Sequence, residues 1–484
     1  MRPIGGFLLL LSLVASAPVQ AQISRFDHVV VIIQENRTPD NLFQGLCSAP
    51  YGSPSACSPT PHANQYDIKT SRWRDKTSPG GLIKPTTIAL ANKYDLDHSH
   101  NGWLAMCDMT KISNVPGCAM DGAAAVKCKG TCPTKPQFKY VVNAKGILNP
   151  YLELATSYGW ANYMFQTNQG PSFPAHQFLF GATSAPSASD DAAGIFASEN
   201  MRSTGGTGGQ GVVAGCAALS TTSVAEIQPV VGESKFIYPC FEHLTVPDLL
   251  ASDLTWRYYA VNAGDIWTAP NAIQHICEST GPGGQCVGPE WTQNVDLVPA
   301  DVLKDIASCN LRSVTWVTPT CQSSDHAGCN DGSGPSWVAS IVNAIGASKT
   351  CDNGGGYWDN TAIVIVWDDW GGWYDHEPPT ILAQPQGDYQ YGFRVPMIFV
   401  SAYTAAHYIN NVRHDFGTIV RFIEDNFGIQ PGALHFADAR ASTDLTGFYD
   451  LAAAPRTFKT LAAPKDALFF LTDPAPPLDP DDDD

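Results

Sequence analysis

Two adjacent carboxylates, Asp368 and Asp369, follow directly on the apolar run Ala362–Trp367 (AIVIVW). Neighbouring acids at the end of a buried strand repel each other, and one is pushed towards protonation unless a cation neutralises them. They therefore read as ligands for a hard divalent cation. Glu35 and Asn36 occupy a similar place, just past the run Phe26–Ile33 (FDHVVVII). A carboxylate beside an amide oxygen suits the same kind of ion, although both residues could simply cap a helix. Ser172 lies in the segment NQGPSFPAH, residues 168–176. Gly170 and Pro171 bend the chain before it, and Pro174 suits the first turn of a helix. A hydroxyl there faces the unpaired N–H groups of a helix start, which favour an anion; serine is also an ordinary N-cap. Histidine clusters complete the set, Asp97-His98-Ser99-His100 and Ser324-Asp325-His326, the latter between Cys321 and Cys329. If those two cysteines pair, they pin His326.

These residue types combine into one chemistry. A divalent cation held by Glu35, Asn36, Asp368 and Asp369 lowers the pKa of the Ser172 hydroxyl and polarises a phosphoryl oxygen. Ser172, itself a candidate ligand, attacks phosphorus to form a phosphoserine that water then hydrolyses. His98 and His326 steady the equatorial oxygens or protonate the leaving alkoxide, and His176 joins them as a candidate for holding substrate. The oxygen-rich ligand set suits Ca²⁺, Mg²⁺ or Mn²⁺. His28, His62, His407 and His435 read as structural, and His100 and His376 receive no role.

Such groups need a scaffold that brings strand ends together. The apolar, β-branched runs at 26–33, 362–367 and 395–400 (VPMIFV) have the character of strands buried on both faces of a parallel sheet. Between them, 336–346 (SWVASIVNAIG) reads as a helix capped by Ser336 and closed by Gly346, and 415–427 (DFGTIVRFIEDNF) as a second amphipathic helix. Alternating strands and helices predict an α/β sandwich with a mainly parallel sheet, whose ligands bind beyond the carboxyl ends of the strands. One large domain is expected over 22–464. An insertion or cap is expected at about 203–310, beginning with the Gly/Ser-rich stretch 203–215, and a disordered acidic tail over 465–484.

Met1-Arg2, the apolar run 7–15 and the small residues ending at Ala21 form a secretory signal with cleavage expected after Ala21, which predicts a secreted or periplasmic protein. The chain carries 14 cysteines, and an even number in an exported protein points to disulfides; Cys128 and Cys132 read as a disulfide rather than a zinc pair. No transmembrane anchor is expected. A formal charge of −18 argues against nucleic acid as a partner and leaves anionic substrates to be drawn in by a local site.

The segments also resemble a known family. QENRTPDNLFQG, GPSFPAH, SSDH and WDDWGGWYDH, followed by YGFRVPMIFVSAY and HDFGTIVRFIEDNFG, resemble in order the blocks of the bacterial phosphoesterases. That family contains non-haemolytic phospholipase C and the Francisella-type acid phosphatase, within the alkaline phosphatase superfamily. The resemblance implies an alkaline-phosphatase-like α/β/α fold. It also implies a single-metal site, Zn²⁺ included among the possible ions, made here of Glu35, Asn36, Asp368 and Asp369 around the nucleophile Ser172, with His98 and His326 near the phosphate. Thr38-Pro39 departs from the family's usual Ser-Phe, and His100 stands where Trp is common. The substrate implied is a phosphorylated small molecule or a phospholipid headgroup. The alternatives are a sulfatase-like ester hydrolase, for which the Arg of a C/S-x-P-x-R segment is missing, and a non-catalytic secreted metal-binding protein.

Overall fold

A computed structural model describes residues 24–112, 115–199, 202–203, 214–228, 232–352, 354–382 and 389–477. The expected signal segment and most of the Gly/Ser-rich stretch lie outside them. Nine strands form the main sheet: β1 His28–Gln34, β2 Gly159–Thr167, β3 Trp256–Tyr259, β4 Val295–Asp296, β5 Val314–Val317, β6 Thr361–Trp367, β7 Tyr391–Val395, β8 Met397–Val400 and β9 Tyr408–Asp415. Their order is β4-β3-β5-β1-β6-β8-β2, with β7 continuing β8 along one side of β2 and β9 pairing with its other side. The first five positions are parallel. All seven residues of β1 and all seven of β6 are buried, which is why both read as unbroken apolar runs.

The run 395–400 departs from expectation. It breaks at Pro396, which supplies no N–H to a ladder, and β8 runs antiparallel to both β6 and β2. The sheet is therefore mixed, although mainly parallel.

Two groups of helices cover it. Asn149–Ser157 (α1), Asp301–Ala307 (α3), Gly334–Ala347 (α4) and Ala467–Thr472 (α6) pack together, while Ser172–Gly181 (α2) packs on Phe416–Asn426 (α5). They lie on opposite faces, as strand parity shows. Trp316 of β5, level with Val31, donates to Leu179 O on α2. Trp367 of β6, level with Gln34, packs its ring at 5.0 Å from Tyr151 on α1. Positions 31 and 34 of one strand point to opposite faces, so the architecture is a three-layer α/β/α sandwich.

Three boundaries differ from the sequence reading. α4 starts at Gly334 rather than at Ser336, because Pro335 fits its first turn, and it runs one residue past Gly346. The expected insertion at 203–310 divides: a small sheet between Phe196 and Ile237 is separate, but β3 and β4 form the edge of the main sheet. The tail expected from 465 instead begins with α6, whose Phe470 packs on Trp337 of α4. Helix α5 does begin at an Asp415 cap, with a reciprocal Thr418 bond.

All 14 cysteines are paired: Cys47–Cys57, Cys107–Cys118, Cys128–Cys132, Cys216–Cys240, Cys277–Cys286, Cys309–Cys351 and Cys321–Cys329. Among the described residues no helix is long and apolar enough to cross a membrane.

Candidate active site

β1 and β6 are neighbours in register, Gln34 opposite Trp367, so the segments leaving them emerge side by side. The pairing continues past the strands: Asp368 N–H donates to Gln34 O at 2.9 Å, and Arg37 N–H to Asp369 O at 3.0 Å. Asn36 takes a left-handed φ of 63° and donates its N–H to Asp368 Oδ1 at 3.0 Å. This close approach explains Gly371: with φ +60°, a Cβ there would lie 2.3 Å from Asn36 O. The glycine admits the chain's own backbone.

Ser172 is the first residue of α2, after Pro171 at the cap, so it is not itself the N-cap. Its hydroxyl donates to Asp369 Oδ2 at 3.2 Å. The N–H of Phe173 donates to Glu199 Oε2 at 2.8 Å, so one helix-start donor already holds a carboxylate.

Glu35, Asn36, Asp368 and Asp369 are wholly buried, and Ser172 nearly so. Glu35 Oε1 and Oε2, Asn36 Oδ1 and Asp368 Oδ2 accept no hydrogen bond. Buried carboxylate oxygens without donors are costly unless a cation meets them. The strain registers at Glu35, whose carboxyl is held well above its usual range by burial, then by the charges of Asp368, Asp369 and Asp265. This donor set, hard oxygens converging without partners, fits a divalent cation.

His176 sits one turn along α2 and falls on the cation side. Its Nε2 is 3.2 Å from Glu35 Oε1 and 3.9 Å from Asp368 Oδ2, and the three groups form a candidate metal cluster with ligand atoms within 4.8 Å of one another. Burial depresses its pKa to about 4, so it is a neutral donor. Tyr258 of β3 lies 3.2 Å from its Nδ1. The expectation that His176 holds substrate thus meets a geometry better suited to the ion.

His98 and His326 also come to the site, their rings 5.6 Å apart. The Cys321–Cys329 bridge closes the loop carrying His326, whose Nδ1 is held by Ala327 O at 2.7 Å. Both nitrogens of His98 are engaged, Nδ1 with Leu96 O at 2.7 Å and Nε2 with Asn36 Nδ2 at 2.9 Å. Trp370 and Trp267 flank the two histidines, with ring centroids 6.3 Å from His98 and 6.0 Å from His326.

His100 stays outside this group, stacked on Trp103, with Nδ1 3.2 Å from Gln169 O. His376 lies in a separate buried network with Asp40, Asp67, Asp375 and Arg394. Sequence reasoning missed Glu199, Asp265, Tyr258 and Asp95, the last 4.0 Å from His98 Nδ1. Asp95 alone carried a signal, two residues before the Asp97-His98 cluster; the others arrive from distant segments.

The Phosphoesterase family pattern matches residues 26–430. The non-hemolytic phospholipase C of Pseudomonas aeruginosa is 24% identical over 237 residues, 43% of this chain and 33% of that protein. Phospholipase C B of Mycobacterium tuberculosis is 25% identical over 184 residues, 33% of this chain and 34% of that protein. The matched stretches thus span about a third of the length of each relative. A solved protein of the alkaline phosphatase superfamily from Vibrio parahaemolyticus overlaps 58% of this chain and 61% of its own, with 12% identity and a TM-score of 0.31, too shallow an overlap to bear on the fold.

Proposed function

Since the chain belongs to the Phosphoesterase family, we propose that it hydrolyses phosphoric esters by nucleophilic attack of Ser172, with a divalent cation held by Glu35, Asn36, Asp368 and Asp369. The observation that carries this reading is the Ser172 hydroxyl hydrogen-bonded to Asp369 at the rim of four buried oxygens that lack any donor. His176 Nε2 is a further candidate donor to the ion. When bound, the cation supplies charge neutralisation and Lewis acidity.

The chain's own groups supply the rest. Asp369 Oδ2 holds the Ser172 proton as Oγ bonds to phosphorus and the ester P–O bond breaks. His326, with Nδ1–H held by the Ala327 carbonyl, carries a proton on Nε2 in its imidazolium form and gives it to the departing alkoxide. The neutral ring then accepts a proton from the water that attacks the phosphoserine; the Oγ–P bond breaks, Oγ takes back the proton held by Asp369, and the product leaves as a phosphate monoester from a diester substrate or as phosphate from a monoester. The surrounding indoles exclude bulk water.

Relatives named phospholipase C favour a phosphodiester with a lipid alcohol as the substrate class. The test is side-by-side hydrolysis of p-nitrophenylphosphorylcholine, bis-p-nitrophenyl phosphate and p-nitrophenyl phosphate. Diester turnover, reduced at least about 10³-fold in Ser172→Ala with an unchanged melting temperature, is the expected result. Turnover of the monoester alone replaces the diesterase reading with a phosphatase, and near-normal activity in Ser172→Ala removes the serine mechanism.

A further inference from the structure

We propose that Glu199 is a positioning residue that caps helix α2 from outside, so that the Ser172 hydroxyl is left to face Asp369 and phosphorus. This inference rests on the reading of Ser172 as the nucleophile.

A helix start ordinarily leaves several N–H groups without partners, and a serine there tends to turn its hydroxyl back to accept from one. The residues around Ser172 remove most of that demand. Pro171 and Pro174 carry no N–H, and the Ala175 N–H already bonds Pro171 O at 3.3 Å. Pro171, at the cap, offers no side-chain acceptor either. Phe173 is wholly buried, so its N–H needs an acceptor within the protein. Glu199 Oε2 meets it at 2.8 Å. A carboxyl oxygen accepts from an N–H whether or not the acid is ionised, so this contact does not depend on charge. The Ser172 hydroxyl is thereby spared from capping and donates to Asp369 Oδ2 at 3.2 Å.

Glu199 comes from the small sheet, not from the sheet that carries the acids. It lies two residues past Ala197, which pairs with Glu226. The chain before it is held by Ala197 N–H to Ser184 O at 2.9 Å and Ser198 N–H to Ala225 O at 2.6 Å. The small sheet thus reaches the nucleophile's helix through this carboxyl. Loss of the carboxyl strands a buried N–H one residue from Ser172, and the first turn must shift to find a new partner. A displacement of about 1 Å at a reacting atom costs on the order of 100-fold in rate.

The experiment uses the full-length protein in excess over the chromogenic ester that the wild type cleaves fastest, with p-nitrophenolate release as the signal. Excess enzyme reads the attack of Ser172 apart from the later hydrolysis. In Glu199→Ala the limiting rate should fall about 10- to 100-fold, with the half-saturating enzyme concentration within about threefold of wild type. Glu199→Gln, whose amide oxygen can accept from Phe173, should stay within about threefold of the wild-type rate. Asp466→Ala is the control: it removes a carboxylate cap, bonded to Phe469 N–H at 3.1 Å, from α6 on the opposite face of the sheet. That variant should melt at a lower temperature and keep the wild-type rate. Glu199→Leu is carried in parallel, with thermal unfolding of every variant, so that the result does not hang on one substitution folding. A wild-type rate in Glu199→Ala, or an equal loss in Glu199→Gln, overturns the inference. Full activity in Ser172→Ala, or no turnover of any ester by the wild type, overturns the reading of Ser172 and this inference with it.

Discussion

At the scale of single residues, the candidate site is an arrangement of acids kept dry. Asp368 contributes one oxygen to the Asn36 N–H and leaves Oδ2 without a donor. Asp368→Asn keeps the shape and removes a charge. It should lower Mn²⁺ affinity by more than the about 10- to 100-fold typical of losing an outer hydrogen-bond partner, as titration of metal-stripped protein would register; unaltered affinity would take Asp368 out of the ligand set. Glu35, Asn36, Asp368 and Asp369 were legible because each abuts an apolar run, and strand ends in an open α/β sheet are where ligands gather. Ser172 was legible from the Gly-Pro turn before it. Glu199 and Tyr258 were not, since each depends on a loop or strand distant in sequence packing against α2.

Among elements, the cluster that locks the loop after β6 to the segment after β1 is the most consequential. Arg394 of β7 bonds Asp375 through Nε and an outer nitrogen, and bonds Asp67 at 2.9 Å. His376 bridges Asp40 at 2.8 Å and Asp67 at 3.1 Å. Burial alone would depress the His376 pKa, but the charge and hydrogen bond of Asp40, with the bond to Asp67, raise it from 6.5 to about 10. A raised histidine stabilises the fold fully below its unfolded pKa, and that contribution fades as pH climbs through the folded value. The melting temperature should therefore fall between about pH 6.5 and pH 10 more steeply in the wild type than in His376→Gln. Parallel curves for the two proteins would refute the assignment. The β1 and β6 strands and helix α5 could be read from hydrophobic period and capping residues. The break at Pro396 needed more, because the antiparallel direction of β8 follows from which strand it pairs with, and composition does not encode that.

For the molecule as a whole, helices cover both faces of the sheet, and the two central parallel strands place Glu35–Asn36 and Asp368–Asp369 together at one edge. With a formal charge of −18, the exterior offers an anionic substrate no general attraction, so capture depends on the local site. The disulfides carry a consequence for biosynthesis. Six of the seven join cysteines that are next to one another in chain order, while Cys309–Cys351 encloses Cys321–Cys329. An oxidant that couples thiols in order of emergence would reach the native pattern everywhere except there, where it would join Cys309 to Cys321 and Cys329 to Cys351. The single place that demands proofreading is thus the loop that carries His326. Refolding with oxidant alone should yield a misbridged isomer at those four cysteines by peptide mapping, and a disulfide isomerase should convert it to the native form. Quality control of the whole polypeptide would then converge on one nested pair, whose inner bridge closes the histidine loop and whose outer bridge reaches the main core at Cys351.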